Sequence, residues 1–243
     1  MNAPGSDALF ATLDATWPPL HSTEIGPWCL RDGDGGGKRV SATTAERTLQ
    51  DSDIDGANEQ MRAQGRPPLY MIRNSDAALD AMLKARSFKV VDPTRIYVVP
   101  ARDIAKTYPM TTTIPAWPPF ALQREIWEDG GVDAARLRVM ERVTGRKTSL
   151  LGRLGDTPGG TVFVAADGPI AMLHALEVKP SERRKGLGEI LVRAAALWAT
   201  EQGAEWLALA VTRTNEAANA LYTRLGMSPV AEYHYRRAPE VTL

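Results

Sequence analysis

The sequence predicts a mixed α/β fold with a ligand held at a strand-to-helix turn. Three observations carry that expectation. Apolar runs in the C-terminal half fall in the order hairpin, long helix, strand, helix, strand. Asp167-Gly168 separates two strand-like runs, a strong hairpin signal. The run Arg183-Arg184-Lys185-Gly186-Leu187-Gly188 stands between a strand and a long helix. Its two glycines let the backbone approach a ligand, and three cations precede them. The unpaired amides and positive dipole end of the helix suit an anionic phosphate. A pyrophosphate-bearing cofactor is the natural occupant.

Each element follows from local pattern. Residues 28–31 and 38–41 flank a glycine-rich run, 32–37, that reads as a hairpin tip, with an anion cradle at Lys38 and Arg39 as the alternative. Apolar spacing predicts a helix over 53–63, a strand at 69–72, and a helix capped by Ser75-Asp76 that runs to Ala85 or Arg86. Strands are expected at 88–91 and 95–99. Residues 108–119 contain four prolines and three threonines and fit neither a helix nor a central strand. They read as the link between two domains, 1–112 and 120–243. Beyond it come a helix over 132–143, a short strand at 150–154, and strands at 161–166 and 170–178. A helix over 188–202 stops at Gly203, followed by a strand at 206–211. A helix over 215–225 ends at Gly226, and a last strand covers 230–235. Residues 75–91 lie on 214–230 without a gap, with Leu83 in the place of Tyr222. The N-terminal half has no counterpart of the 183–188 run.

Composition bounds the partners. Lys+Arg and Asp+Glu are 29 each, so overall charge gives no argument for nucleic acid or an anionic membrane, and neither is expected as partner. No apolar run is long enough to span a bilayer, and the first residues lack the pattern of a signal peptide. Cys29 is the only cysteine, so no internal disulfide or multi-cysteine metal cluster is expected, and a reducing cytoplasm is the simplest location. His21, His174 and His234 are far apart, so no metal site is expected.

The Arg183-x-x-Gly186-x-Gly188 pattern is followed by a helix with Asn215 at its start and Tyr222 two turns on. Together these resemble the GCN5-related N-acetyltransferase (GNAT) superfamily, whose signature is Gln/Arg-x-x-Gly-x-Gly/Ala after the fourth strand. The resemblance covers about 125–237 and is most specific over 172–227. It implies a mostly antiparallel central sheet flanked by helices, with acetyl-CoA as co-substrate. The N-terminal half would be a degenerate relative, making a tandem. The resemblance further implies that the amides of Arg184, Lys185, Gly186, Leu187, Gly188 and Glu189, with Arg183 beside them, hold the pyrophosphate. Leu176 and Val178, flanking Glu177, would pair with the pantetheine arm, and the Val178 amide would polarise the acetyl carbonyl. Asn215 would touch the cofactor arm, its alternative role being a helix cap.

Acetyl transfer to an amine needs a base for the ammonium and an acid for the leaving thiolate. His174, in an otherwise apolar strand, is the candidate base, since burial keeps an imidazole neutral. The segment around it resembles the corresponding strand of arylalkylamine acetyltransferases, although a second histidine of those enzymes falls on Met172 here. The alternative is a core histidine bonded to a carbonyl. On a regular strand Glu177 faces away from His174, and a bulge reverses that. Tyr222 is the candidate acid, with a packing tyrosine as the alternative.

The expected activity is therefore N-acetylation of a small-molecule amine. Acetylation of a protein N-terminus or lysine, and a non-catalytic acyl-CoA sensor, are the competing readings. The acceptor is expected where the helical region 127–143 meets the N-terminal domain, with Trp117 and Trp127 flanking it or sealing the interface. Monomer and homodimer remain equally open.

Overall fold

The computed structural model describes residues 2–239; the outer ends of the two expected domains, Met1 and 240–243, lie outside the described residues. The chain runs α1 (Ser6–Thr16), β1 (His21–Ile25), β2 (Trp28–Asp32), α2 (Lys38–Ser41), β3 (Thr44–Ala45) and α3 (Asp51–Ala63). It continues β4 (Leu69–Arg73), α4 (Ala77–Ala85), β5 (Lys89–Pro100), α5 (Ala101–Ile104), β6 (Thr113–Ala116), α6 (Ala121–Asp129) and α7 (Ala134–Arg142). The remainder is β7 (Arg146–Leu154), β8 (Thr157–Asp167), β9 (Ile170–Val178), α8 (Leu187–Glu201), β10 (Trp206–Thr212), α9 (Glu216–Arg224) and β11 (Ser228–Arg237).

Eight strands form one sheet in the order β4-β11-β5-β10-β9-β8-β7-β6, and β1-β2-β3 form a second, small sheet. Every pair in the large sheet is antiparallel except β9 with β10. Period-two alternation sorts the side chains onto two faces. Tyr97, Val99, Ala171, Leu173, Leu207 and Leu209 pack under α8 and α9. Their neighbours Ile96, Val98, Ile170, Met172 and Ala208 pack under α1, through Leu9, Phe10 and Leu13. Glycine lets α8 lie close on the sheet: a Cβ at Gly159 would meet Glu182 at 2.6 Å and Leu187 at 2.9 Å.

The two halves share the large sheet by exchanging strands. β5, from the N-terminal half, lies between β10 and β11, and β11 lies between β5 and β4. The gapless superposition of 75–91 on 214–230 carries one ladder onto the other. Leu209 pairs with Tyr97, and their counterparts Tyr70 and Arg236 pair with each other. The Tyr233–Thr94 pair at the centre maps onto itself. Side chains follow the same relation: Tyr97 donates to Asn219 at 3.1 Å, while Arg236 donates to Asp80, the counterpart of Asn219, at 2.7 Å.

Several sequence expectations change. Residues 32–37 are not a hairpin tip, because β2 pairs with β1 and 38–41 are helical. Gly36 there packs where a Cβ would meet Val139 of α7 at 2.5 Å. The strands expected at 88–91 and 95–99 are one strand, β5, which continues through Asp92-Pro93 with Asp92 at φ 47°. The link 108–119 contains β6, an edge strand against β7 that tolerates Pro115 because one of its sides is unpaired. Helices α1 and α6 and strand β1 were not foreseen.

Candidate active site

The parallel pairing of β9 with β10 ends at Leu173–Leu209, although β9 continues to Val178 and β10 to Thr212. Each strand stays paired on its outer side, β9 with β8 as far as Val178–Gly160 and β10 with β5 as far as Thr212–Thr94. Two backbone edges therefore face a cleft with no ladder between them, and any amide or carbonyl left open there is costly unless a polar chain or water occupies the cleft.

A bulge in β9 accompanies the cleft. His174 opposes Phe163 and Glu177 opposes Thr161, so β9 carries one extra residue there, with Ala175 at φ 48°. Trp127, fully buried on α6, donates its indole N–H to the Ala175 carbonyl at 2.7 Å. The extra residue brings Glu177 onto the same face as His174.

The turn at the cleft mouth is built as an anion site. Gly186 caps α8 at φ 88° and offers no side-chain cap, so the amides of the first helical turn stay open. Arg184 is also left-handed, at φ 64°. A Cβ at Gly188 would meet only ordinary contacts, with Leu221 at 3.5 Å and Val178 at 4.0 Å, so the fold itself does not demand glycine there. Arg183 Nε donates to the Val178 carbonyl at 3.1 Å, tying the turn to the end of β9. Lys185 pairs with Glu182 and Glu189 pairs with Arg193, so Glu189 offers the turn its amide only. Leu187, the first residue of α8, is buried, and Leu176 and Val178 pack partly buried against the same cluster.

His174 sits on the opposite face, clamped by the N-terminal half. Its ring stacks on Trp17, with centroids 4.9 Å apart. The Thr16 hydroxyl donates to the Thr12 carbonyl at 2.7 Å, so at 2.9 Å it accepts from His174 Nε2–H. Nδ1, the remaining lone pair, accepts from Arg39 at 3.3 Å. Burial, and then the Arg39 charge, hold the imidazole well below its ordinary pKa. The Nδ1 lone pair that a base would use therefore faces a guanidinium.

Glu177 is half-buried, and burial raises its carboxyl above the ordinary value against the lowering effect of Arg183. Tyr222 is buried with its ring 5.9 Å from that of Tyr97. Burial, then the Glu177 charge, push its phenol up, so it remains a proton donor. Asn215 takes the capping role at α9: its side-chain oxygen accepts from the Ala218 amide at 3.1 Å. His234 pairs with Asp80 at 2.8 Å, and Cys29 is a free thiol on β2.

A cavity of about 260 Å³ lies where α7 meets the N-terminal half, lined by residues that include Trp17, Arg39, Arg136 and His174. Ala175 and Thr212, one from each diverging strand, also line it, so it opens onto the cleft. Thr16, Trp17 and Arg39 were missed as site residues. Nothing in the local sequence placed α1 or α2 over β9.

Residues 112–227 match the acetyltransferase (GNAT) family model. The chain is 29% identical over 234 residues to N-acetyltransferase YobR of Bacillus subtilis (strain 168), described as uncharacterized, covering 91% of this chain and 94% of that one. It is 35% identical over 116 residues to streptothricin acetyltransferase of Streptomyces lavendulae, covering 47% of this chain and 60% of that one. Among solved structures, a GCN5-related N-acetyltransferase from Kribbella flavida superposes with a TM-score of 0.73 at 20% identity, covering 99% and 98% of the two chains. Residues 112–227 are a GNAT-family acetyltransferase domain. The chain is thus an acetyl-transfer enzyme, with a mixed, mostly antiparallel sheet flanked by helices. None of its helices among the described residues is long and apolar enough to cross a membrane.

Proposed function

We propose that this enzyme moves the acetyl group of acetyl-CoA to the amine of a small molecule by direct attack. The observation that carries the reading is the unpaired cleft between β9 and β10 beside the uncapped N-terminus of α8. A cofactor with a pyrophosphate at one end and an amide-bearing arm at the other matches that donor set: phosphate on the amides of 184–189, arm along Leu176 and Val178. Acetyl-CoA supplies an acetyl thioester there. Overall the amine nitrogen gains a bond to the acetyl carbon, the carbon–sulfur bond breaks, the ammonium loses its proton to the enzyme and the thiol carries one away.

Glu177 suits the base role better than His174. Its carboxylate has a raised pKa and shares the face of the bulge, whereas the His174 lone pair is engaged by Arg39. His174 then acts as a positioning residue that anchors α1 on β9. Tyr222, kept protonated by burial, is the donor to sulfur. The small cavity beside the cleft favours a small acceptor over a protein chain. The exchanged β-α-β units support a degenerate GNAT-like origin for the N-terminal half, with one active site per chain.

A CoA-release screen across amines tests the reading. Glu177→Gln and Tyr222→Phe are each expected to lower kcat by about 10²–10⁴-fold with CoA affinity retained. Arg183→Ala is expected to weaken CoA binding instead. Unchanged CoA affinity in both Arg183→Ala and Gly186→Trp overturns the phosphate-turn assignment.

A further inference from the structure

The cavity at the cleft has an unbalanced charge. Lys38, Arg39 and Arg136 line it, and Asp92 is the one carboxylate among its described lining residues. Asp92 is taken by Lys38 at 3.0 Å. Among the described residues, the Arg136 guanidinium reaches only the Gly131 carbonyl. Arg39 donates to neutral His174, lies against the Tyr233 and Tyr235 side chains, and has no carboxylate partner among the described residues. Its Nε is shut off from solvent with no hydrogen-bond partner. A guanidinium stays charged at any working pH, and a shielded one is costly without an anion. Asp14 feels the Arg39 charge but is itself bonded to Arg31 at 2.7 Å, so two cations without a carboxylate of their own face a space that opens beside Ala175 and Thr212.

We propose that the acceptor is a small amine carrying a carboxylate, of amino-acid size, whose carboxylate docks on Arg39 and Arg136 while its amine faces the bulge of β9. The inference rests on the acetyl-transfer reading above and narrows its acceptor. A guanidinium presents a fork of N–H donors matched to a carboxylate, which fixes the orientation of the attached amine. The volume, about 260 Å³, lies just below the ~300–1,000 Å³ of pockets for drug-sized ligands. Polycationic acceptors meet like charge here and are disfavoured.

The test uses the full chain with two readouts. CoA release is measured with the protein amino acids, their carboxamides, spermidine and an aminoglycoside, and calorimetry follows binding of the same amino acids in the presence of CoA. The expected result is at least one amino acid preferred tenfold or more in kcat/KM over its carboxamide. That preference should collapse in Arg39→Met and Arg136→Ala, mainly through KM. Arg136→Ala removes a more peripheral group and keeps the test open if Arg39→Met fails to fold. If carboxamides, spermidine or the aminoglycoside are acetylated as well or better and amino acids do not bind, the inference falls while acetyl transfer stands. If no amine reacts yet amino acids bind in an Arg136-dependent way, the carboxylate site stands and the transfer reading falls.

Discussion

His174 shows how a residue selected for chemistry is held for structure. Its folded pKa lies below the unfolded value of 6.5, so the unfolded chain binds more protons as pH drops past that value. The associated stability is fully present above about pH 6.5 and is lost as pH falls toward the folded pKa, at up to about 1.4 kcal/mol per pH unit. Denaturant titrations of the wild type and His174→Gln at pH 7.5 and 5.5 should show a steeper acid loss in the wild type. Equal slopes would remove the buried neutral imidazole from the account. Glu177 carries an acid-side loss as well, but in activity. As the proposed base it must be ionised, so kcat/KM should rise with pH through a limb above 4.5, and Glu177→Gln should abolish that limb. His174→Gln should leave its position in place.

At the scale of the element, the bulge of β9 and helix α6 form one device. Trp127 satisfies the Ala175 carbonyl where the strand ladder cannot. Trp127→Phe keeps most of the apolar surface but leaves that carbonyl unpaired, at a cost of about 1–3 kcal/mol. Urea unfolding checks the loss, and a parallel fall in kcat would tie the bulge to the cleft. The contrast between what the sequence revealed here and what it hid has a physical basis. The turn at Arg183–Gly188, the following helix and the Asn215-to-Tyr222 helix are local patterns, so they could be read directly. The bulge was legible only as an option that would reverse the parity of Glu177, because it depends on pairing with β8. The clamp on His174 is contact between residues more than a hundred positions apart, Thr16 and Arg39 against β9, and no periodicity within one segment reports it.

For the whole molecule, the shared sheet ties the halves into one folding unit. Expectation placed a boundary near 112–120, and local pattern supports a change of character there. Yet Ile96 and Val98 of β5 fill the face under α1 together with Met172 and Ala208. A fragment of 113–239 would expose the inner edges of β10 and β11 and is expected to aggregate. Co-expression with 2–112 should restore a soluble complex, as judged by size exclusion and circular dichroism. An independently stable, monomeric 113–239 would contradict the shared unit.

The exchange of strands also sets an order in time. β4 and β5 are neighbours in sequence, but β11 lies between them, and the ladders on both sides of β11 join residues far apart along the chain. During synthesis the N-terminal half emerges first and finishes last, holding two unsatisfied edges until 228–237 leaves the ribosome. A nascent chain interrupted just before that point forfeits both ladders at once. Chaperone demand should therefore peak just before β11 emerges, when seven of the eight strands exist and the sheet is still in two pieces.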